Sequence, residues 1–385
     1  MKIFVIPTSY PSKYNPVANI FVAEQVKALA KLGHEIVVLN VVKRSTKDFF
    51  KKNQKKIEKI QEEYCIRYTL EFKTFMEAKF VKYNCNGFSK NMIQLYEFVC
   101  NDFGNPDILY AHFSLYAGYA ATKIKEKYHI PLVTLEHDSM IMKMSLRNKV
   151  KSYLRHTIQN SDKFIVVSNG LKNAIEKTIE TDKTIYILSN IVDDLFSFHE
   201  RVQKENFIFF SCGNLNKRKR FDLLINAFLV AFLKEDNVQL IIGGEGKERK
   251  VLEKLIYKNK REDQIKLLGR ISRSETLNEY IKCDCFVLPS ECETFGLVYR
   301  EAMAVGRPII TTDHGGFESS IWDENNGIII DVDDKVALVS ALKYIKNNIF
   351  RYDLKRIAYS CLEKCSSIKI AKQIIQIFQE VLSEG

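Results

Sequence analysis

Two glutamates with a fixed spacing stand out as candidate binding or catalytic groups. Glu293 lies in a predicted loop after a strand, and Glu301 lies eight residues later on the helix that follows. Both face the crevice at the carboxyl end of the strand, where open α/β sheets bind ligands. The first backbone N–H groups of such a helix favour a phosphate, and here they belong to Phe295, Gly296, Leu297 and Val298. Because a carboxylate holds something other than phosphate, the pattern predicts a ligand that also carries sugar or ribose hydroxyls.

Two histidines and a lysine are further candidates because of their positions beside predicted strands and helices. His112 ends one strand of the N-terminal half and His137 follows the next strand. The alternatives are a hydrogen-bonded core histidine for the first and a loop-orienting role for the second. Lys219 belongs to the basic run 217–220, which is typical of a solvated patch, but it directly precedes a predicted helix. The acidic motif 331–333 also precedes a helix, and capping explains it better than a metal site.

The elements that must position these residues alternate along the chain. Short β-branched runs are followed by longer amphipathic segments, which is typical of parallel sheets covered by helices. The predicted strands are 3–6, 36–40, 108–111, 132–135, 164–167 and 185–188 in the first half, and 207–210, 238–242, 265–267, 285–288, 309–311 and 327–330 in the second. The predicted fold class is therefore α/β with two doubly wound parallel sheets.

Domain boundaries are predicted at a polar, acidic segment that has no clear hydrophobic period. The N-terminal domain covers residues 1–192, the linker residues 193–206 and the C-terminal domain residues 207–367. A last amphipathic helix is predicted within residues 368–385, and it is expected to pack on one of the two domains. With 385 residues, two domains agree with the usual size of roughly 150 residues for each.

Composition limits the class of protein. Hydrophobic residues make up 46% of the chain, which excludes intrinsic disorder. No apolar run approaches the roughly 18 residues that a membrane helix needs, and the chain opens on a predicted strand, so we expect a cytoplasmic protein. The nine cysteines are scattered without a C-x-x-C pair, which supports neither a disulfide framework nor a zinc site.

The net charge of +11 is unevenly distributed. Residues 1–200 hold 29 basic and 21 acidic residues, a net charge of +8, whereas residues 201–385 hold 29 and 26, a net charge of +3. A basic half implies an anionic partner, which is a nucleic acid, a membrane surface or a phosphorylated small molecule.

One basic segment, residues 43–63, is a candidate membrane contact. It holds eight basic residues, and a helix there would have an apolar face formed by Phe49, Phe50, Ile57 and Ile60. Such a helix would dock on anionic lipid, with each nearby basic residue adding roughly 1 kcal/mol. The alternative is a solvated surface helix.

The segment around the two glutamates resembles the E-x7-E motif of the retaining glycosyltransferases of family 4. The match runs from Pro289-Ser290 through Glu301-Ala-Met-Ala to Gly306-Arg-Pro308 and Gly315-Gly316. Family-like stretches cover nearly the whole chain. They are Asn15-Pro16, Ile20-Phe21-Val22, Glu24-Gln25 and Leu32-Gly33-His34 near the start, Asp107 to Phe113, Glu136-His137, Gly213 to Lys219 with Phe221-Asp222, and Gly243 to Gly246.

The resemblance implies a GT-B fold, in which two Rossmann-like domains face each other across a cleft and the last helix returns to the first domain. The implied donor-binding residues are Gly213, Asn214, Lys219, Glu245, Leu268, Ser290, Phe295, Gly296, Leu297, Val298 and Glu301. Lys219 would hold the diphosphate, Glu301 the ribose and the backbone around Leu268 the base. The implied catalytic residues are Glu293, at the sugar hydroxyls, and His112, near the reacting centre.

Three positions depart from the family pattern. Asn214 stands where the family most often has arginine, so one of two cations at the diphosphate is missing; a charge-assisted hydrogen bond there is worth roughly 1.5–3 kcal/mol. Arg218 and Arg220 are candidate replacements. Asn19 replaces a glycine of the N-terminal loop, and an aspartate replaces the glycine after His137. These two changes concern the acceptor side, where Asn19 and His137 are the candidate residues.

Together, the motifs predict a retaining glycosyltransferase that moves a hexose-type sugar from a UDP- or GDP-sugar to a glycan or lipid-linked hydroxyl. Family analogy implies front-face attack by the acceptor, and a cell-surface polysaccharide pathway at the cytoplasmic face of the plasma membrane. No metal and no other cofactor are expected. A nucleotide-sugar epimerase of the same fold is the alternative. A nucleic-acid-binding protein is disfavoured because no recognition motif is present.

Overall fold

The computed structural model describes residues 1–12, 18–44, 57–76, 79–142, 148–315 and 323–384. The chain divides into two compact units. Unit 1 comprises Met1–Ile191 and Ser367–Gly385, and unit 2 comprises Val192–Ser366. Each unit has its own sheet, parallel in unit 2 and parallel except for one edge strand in unit 1, with helices packed against it.

Unit 1 is built on an eight-stranded sheet. Its strands are β1 (Lys2–Pro7), β2 (Glu35–Arg44), β3 (Glu58–Gln61), β4 (Ile66–Lys73), β5 (Ile108–His112), β6 (Leu132–Glu136), β7 (Lys163–Val166) and β8 (Ile185–Ile187). The order across the sheet is β3-β4-β2-β1-β5-β6-β7-β8. Strand β3 pairs antiparallel with β4, and the other pairs are parallel. The strand order reverses between β1 and β5, which creates a switch point at their carboxyl ends.

In the described part of unit 1, five α-helices lie between these strands. They are α1 (Ile20–Lys31), α2 (Val81–Phe103), α3 (Tyr119–Tyr128), α4 (Asn148–Asn160) and α5 (Asn169–Thr178). In α2, buried apolar residues recur every three or four positions and pack on β2 and β4. That spacing puts one stripe of the helix against the sheet and leaves the other face to solvent.

Unit 2 has a six-stranded parallel sheet. Its strands are β9 (Phe207–Cys212), β10 (Val238–Gly243), β11 (Ile265–Gly269), β12 (Cys285–Leu288), β13 (Ile309–Thr312) and β14 (Gly327–Ile330). The order is β11-β10-β9-β12-β13-β14. Its helices are α6 (Phe221–Ala231), α7 (Arg249–Lys258), α8 (Arg273–Lys282), α9 (Leu297–Ala304), α10 (Lys335–Asn348) and α11 (Leu354–Cys365). The switch point of this sheet lies between β9 and β12.

The chain returns to unit 1 through its last helix, α12 (Ser367–Glu384). This helix packs on α1 with a buried apolar stripe, and its Phe378 ring meets Tyr110 edge to face at 5.1 Å. Lys163 Nζ donates to Glu380 at 2.7 Å and joins the helix to β7. The family resemblance had implied this return to the first domain, whereas the hydrophobic pattern by itself assigned the helix to neither domain.

The twelve strands predicted from the sequence are all present, whereas β3 and β4 were not predicted. The prediction of a helix through residues 43–63 is wrong at both ends, because Lys43 and Arg44 belong to β2 and residues 58–61 form β3. This short edge strand has one apolar residue, Ile60, among three polar ones, and its pairing with β4 stabilises it more than a local helix would. Residues 45–56, with Phe49 and Phe50, lie outside the described residues.

Residues 192–206 belong to unit 2, whereas a linker was predicted at 193–206. Phe196 is buried, and its ring lies edge to face against Tyr280 at 5.8 Å. The polar composition of the segment concealed this one anchoring aromatic side chain, since a single buried ring produces no hydrophobic period.

Candidate functional site

Lys219 and Glu293 meet at the switch point of unit 2. Lys219 ends the single helical turn Lys217–Lys219 that follows β9, and Glu293 lies in the loop between β12 and α9. Lys219 Nζ donates to Glu293 Oε1 at 2.5 Å, and both side chains are only 12% exposed. The two residues are 74 positions apart in the sequence, and they meet because β9 and β12 are neighbours in the sheet.

The ion pair keeps Glu293 charged in a site that excludes most water. Burial alone would raise the pKa of Glu293, but the charge and hydrogen bond of Lys219 outweigh it, so the pKa lies below its ordinary value. His314, which follows β13, lies close enough to contribute to the same shift. Burial lowers the pKa of His314 itself to about 4, so this histidine is neutral at physiological pH. Glu293 is therefore ionised and acceptor-only before any ligand binds.

The pKa shift of Glu293 should change sign in Lys219→Ala. Without the lysine, burial becomes the dominant influence, and the pKa of Glu293 should rise above its ordinary value. In the wild type, the lowered pKa contributes stability above the ordinary glutamate pKa, and this contribution is lost as the pH falls through the folded-state value. The variant should instead lose stability as the pH rises through its raised pKa. Carboxyl ¹³C titration, with Glu293→Gln identifying the signal, measures the shift; an unchanged pKa would contradict it.

Two glycine turns pack directly on one another beside this pair. Gly213 follows β9 and Gly244 follows β10; Gly213 N–H donates to Gly243 O at 3.0 Å. Gly244 has φ 140°, and a Cβ there would clash with Gly213 O. The Lys219 side chain lies over Gly213, with Cε 3.5 Å from where a Cβ of Gly213 would be. These glycines thus allow the close backbone approach that places Lys219.

We expect Gly244→Ala to destabilise unit 2 strongly. The new Cβ would clash with the backbone of Gly213, which cannot move aside as a flexible side chain could. The left-handed backbone conformation adds strain, so the loss in the free energy of unfolding should be about 3 kcal/mol or more. Gly33→Ala is the matched control, because Gly33 has φ 84° but open space around it, and strain alone should cost about 1 kcal/mol. Urea denaturation followed by circular dichroism measures both, and equal losses would contradict the packing argument.

The start of α9 lies beside Glu293. Gly296 precedes the helix with φ 68°, a left-handed conformation that glycine adopts without strain. The buried Arg300 guanidinium lies 3.6 Å from the centre of the Phe295 ring and donates to Phe295 O, which fixes the loop. Ser290 is buried at the other end of the loop. Leu297 and Val298 begin the helix, where backbone N–H groups have no intrahelical acceptor. The loop therefore places the N-terminus of α9, the positive end of the helix dipole, next to the Glu293 carboxylate.

Glu301 lies behind this loop in a buried ion pair that the sequence analysis did not foresee. Arg273, the first residue of α8, donates to Glu301 Oε1, and Tyr280 OH lies 3.3 Å from Oε2. Arg273 also stacks on Phe196 and lies 3.6 Å from Asp193. Burial raises the pKa of Glu301 although Arg273 opposes the shift. The only signal in the sequence was a basic residue at a helix start, which usually indicates a solvated position.

The other predicted donor-side residues lie near the surface. Glu245 is ion-paired with Arg249 at 2.6 Å, Leu268 on β11 is exposed, and Asn214 is exposed in the turn after β9. Arg220 does not replace the missing cation freely, because it is paired with three carboxylates. They are Asp222, Glu291 and Asp333.

The acidic motif 331–333 does not itself cap α10. The cap is the next residue, Asp334, whose side chain accepts from Ala337 N at 2.8 Å. Within the ranges that the structure describes, no group of three or more His, Cys, Asp or Glu side chains is arranged to hold a metal ion. Among the described helices, none is both long enough and apolar enough to cross a membrane.

In unit 1 the two candidate histidines lie together at the switch point. His112 ends β5 beside β1, and His137 follows β6; His112 Nδ1 lies 3.1 Å from His137 Nε2. Burial lowers the pKa of His112 to about 3 and also lowers the pKa of His137. Glu136 holds the surrounding loops, because its carboxylate accepts from the backbone N–H groups of Ser114, His137 and Asp138 at 2.7 Å each.

Asn19 stands where the family has glycine, and its backbone has the left-handed conformation that glycine adopts most readily. Its φ is 45° and its ψ is 47°, and asparagine tolerates this left-handed conformation better than most residues. The Asn19 side chain donates to Ser9 Oγ at 2.7 Å instead of capping α1. The substitution therefore preserves the turn and adds a side-chain hydrogen bond within the loop.

Comparison with known proteins identifies the family. A model described as "Glycosyltransferase Family 4" matches residues 18–194, and one described as "Glycosyl transferases group 1" matches residues 193–360. The two matches follow one another along almost the whole chain. The chain is a family 4 glycosyltransferase. Both the predicted family and the predicted transferase class are thereby confirmed.

Individual relatives are similar to this glycosyltransferase at modest identity. The N-acetyl-alpha-D-glucosaminyl L-malate synthase of Bacillus anthracis is 27% identical over 293 residues, which cover 73% of this chain and 76% of the relative. A putative teichuronic acid biosynthesis glycosyltransferase of Bacillus subtilis, TuaC, is 24% identical over 420 aligned residues, 99% of each chain. Among solved structures, Anabaena HepE in complex with UDP and glucose superposes with a TM-score of 0.73 at 16% identity, covering 99% of this chain and 100% of that one.

The comparisons and the two parallel sheets confirm the predicted GT-B fold class of the glycosyltransferase. Within the units, the structure brings Lys219 together with Glu293, and His112 together with His137. His314 and Arg273 are the neighbours that sequence reasoning missed in unit 2. A histidine within three residues of the end of a predicted strand was an available signal for His314, whereas the place of Arg273 depends on how α8 packs.

Proposed function

We propose that the enzyme transfers a hexose-type sugar from a UDP- or GDP-sugar, bound by unit 2, to a hydroxyl of a glycan or lipid-linked acceptor. The observation that carries this proposal is the Lys219–Glu293 pair beside the start of α9. A cation and backbone donors suit a diphosphate, and an ionised carboxylate suits sugar hydroxyls. The Anabaena neighbour, which was solved with UDP and glucose, supports the donor class.

Donor binding should rearrange the ion pair. The diphosphate would take the place of Glu293 as the partner of Lys219 Nζ, which frees the Glu293 carboxylate to accept from hydroxyls of the sugar. Lys219 and the first N–H groups of α9 would then stabilise the charge that develops on the leaving diphosphate. We propose that His112 contacts the donor sugar near the reacting carbon, and that transfer retains configuration by front-face attack without a covalent intermediate.

The remaining donor-side roles are proposals of the same kind. Glu301 would accept from the nucleotide ribose, because its carboxylate has acceptor capacity beyond the contacts with Arg273 and Tyr280. The backbone around Leu268 would bind the base. The proposed reaction requires no metal, since Lys219 and the start of α9 supply the positive charge at the diphosphate.

A panel of UDP- and GDP-sugars in thermal-shift assays tests the proposal first, followed by release of nucleoside diphosphate with and without acceptor. Saturable stabilisation by one nucleotide sugar, and release that depends on an acceptor, are the expected results. Product formed without acceptor would favour the epimerase alternative. Binding to nucleic acid that falls steeply with salt, without any effect of nucleotide sugars, would overturn the donor site.

We also propose that the acceptor belongs to a cell-surface polysaccharide pathway, at the cytoplasmic face of the plasma membrane. The full-length similarity to a putative teichuronic acid glycosyltransferase supports this pathway. The basic segment 43–63 would contact anionic lipid. Sedimentation with anionic liposomes at low salt should be lost when Lys51, Lys52, Lys55 and Lys56 are changed to glutamate, and unchanged sedimentation would overturn the membrane contact.

A further inference from the structure

Five buried side chains of unit 1 form one continuous chain of hydrogen bonds that ends at His112. Tyr110 OH lies 2.7 Å from Gln25 Oε1, and Gln25 Nε2 lies 3.2 Å from Asn190 Oδ1. Asn190 Nδ2 then lies 3.4 Å from His137 Nδ1, and His137 Nε2 lies 3.1 Å from His112 Nδ1. The chain joins β5, α1 and the end of unit 1 to both histidines.

Tyr110, at the end of this chain away from His112, fixes the direction of every hydrogen bond in it. Tyr110 is fully buried, and its hydroxyl hydrogen finds an acceptor in Gln25 Oε1. The reverse direction would require Gln25 to donate to Tyr110, and the buried hydroxyl hydrogen would then have no acceptor among the residues that the structure describes. Gln25 therefore donates to Asn190, and Asn190 donates to His137 Nδ1.

The direction determines which ring nitrogen of each histidine carries the proton. Both rings are neutral because burial lowers their pKa values, so each carries one N–H. His137 accepts at Nδ1 and thus donates from Nε2 to His112 Nδ1. The single proton of His112 is then on Nε2, which is buried and has no hydrogen-bond partner among the described residues.

We propose that Tyr110, Gln25 and Asn190 are positioning residues that fix His112 as a hydrogen-bond donor at Nε2. The substrate group that it meets is an oxygen acceptor, a phosphate or hydroxyl oxygen of the sugar donor; this part rests on the proposed function. Because Nδ1 is engaged and Nε2 already holds a proton, His112 does not act as the base that deprotonates the acceptor hydroxyl.

Nitrogen-15 NMR of histidine-labelled full-length protein reads the tautomers directly, without any substrate. The signals are assigned with His112→Gln and His137→Gln. In the wild type, both rings should carry their proton on Nε2. A wild-type His112 that carries its proton on Nδ1 would overturn the proposal, and this measurement requires no variant of the positioning residues to fold.

Asn190→Asp replaces the amide donor with a carboxylate acceptor of nearly the same shape. His137 Nδ1 should therefore become protonated, and an unprotonated Nδ1 would overturn the role of Asn190. Asn160→Asp is the matched control, because Asn160 Nδ2 lies 3.5 Å from His156 Nδ1 in an exposed pair on α4. It should leave the signals of His112 and His137 unchanged; a shift there would mean that any added charge moves them, and would also overturn the inference.

The substrate part is tested separately by turnover. A glutamine at position 112 retains an N–H donor, whereas a methionine of similar size has none. His112→Gln should retain at least about tenfold higher kcat than His112→Met. Equal turnover of the two variants would overturn donation to the substrate while leaving the tautomer assignment intact. Absence of wild-type turnover with every nucleotide sugar would instead count against the proposed function.

Discussion

Lys219→Ala should lower the acceptor-dependent release of nucleoside diphosphate by about 10²–10³-fold, the usual effect of removing one charge-stabilising donor from an active site. Lys219 is the cation that lies against Glu293 at the switch point between β9 and β12. In the proposed reaction the diphosphate gains negative charge as the sugar leaves, and Asn214 offers no second cation in the turn after β9. The loss should therefore fall mainly on kcat, because the interaction strengthens in the transition state.

The neighbouring Lys217 provides the matched control. It lies in the same helical turn but is exposed. Lys217→Ala should leave kcat within about twofold, because an exposed charge is screened by solvent. Turnover of Lys219→Ala equal to that of Lys217→Ala would contradict the assignment of the diphosphate to Lys219. Circular dichroism of both variants establishes that they are folded.

Arg273→Met should destabilise unit 2 strongly, with a loss of about 2–4 kcal/mol in the free energy of unfolding at neutral pH. Glu301 is only 3% exposed, whereas Arg273 is 25% exposed. Removing the arginine leaves a buried carboxylate whose remaining side-chain partner, among the residues that the structure describes, is the Tyr280 hydroxyl. Removing the glutamate instead leaves an arginine that can still reach water and stack on Phe196. Removing Arg273 should therefore cost more stability than removing Glu301.

A double-mutant comparison tests this asymmetry. Glu301→Gln alone should cost about 1 kcal/mol or less, and Glu301→Gln combined with Arg273→Met should recover most of the stability lost in Arg273→Met. Chemical denaturation followed by circular dichroism provides the free energies. If the double variant is less stable than Arg273→Met, the loss comes from packing of the arginine side chain and not from the unpaired carboxylate.

The pH dependence of stability distinguishes Arg273→Met from the double variant in a second, independent way. In Arg273→Met the pKa of Glu301 should rise further above its ordinary value, because the opposing charge is gone. Between the ordinary glutamate pKa of about 4.3 and the raised folded-state pKa, the folded protein binds more protons than the unfolded one. The stability of the variant should therefore fall as the pH rises through this interval. In the double variant this slope should disappear.

The order of most strands and the identity of the candidate site residues can be read from the amino-acid sequence. Twelve strands were predictable because buried parallel strands are continuous β-branched runs, which need no knowledge of their neighbours. Glu293, His112 and His137 were candidates because each lies at or just beyond the carboxyl end of a predicted strand, where ligands bind. Lys219 was a candidate because it directly precedes a predicted helix. The edge strand β3 was not predictable, since its polar residues form a strand only through pairing with β4.

Which of these residues meet, and whether each is charged or neutral, depends on the folded structure. Lys219 and Glu293 form a pair because the strand order places β9 beside β12, and no local pattern encodes that order. The partners of Glu301 and of the two histidines come from helices and loops distant in sequence, such as Arg273 on α8 and Asn190 at the end of unit 1. Charge, tautomer and pKa depend on burial and on neighbours within a few ångströms, and those distances exist only in the folded chain.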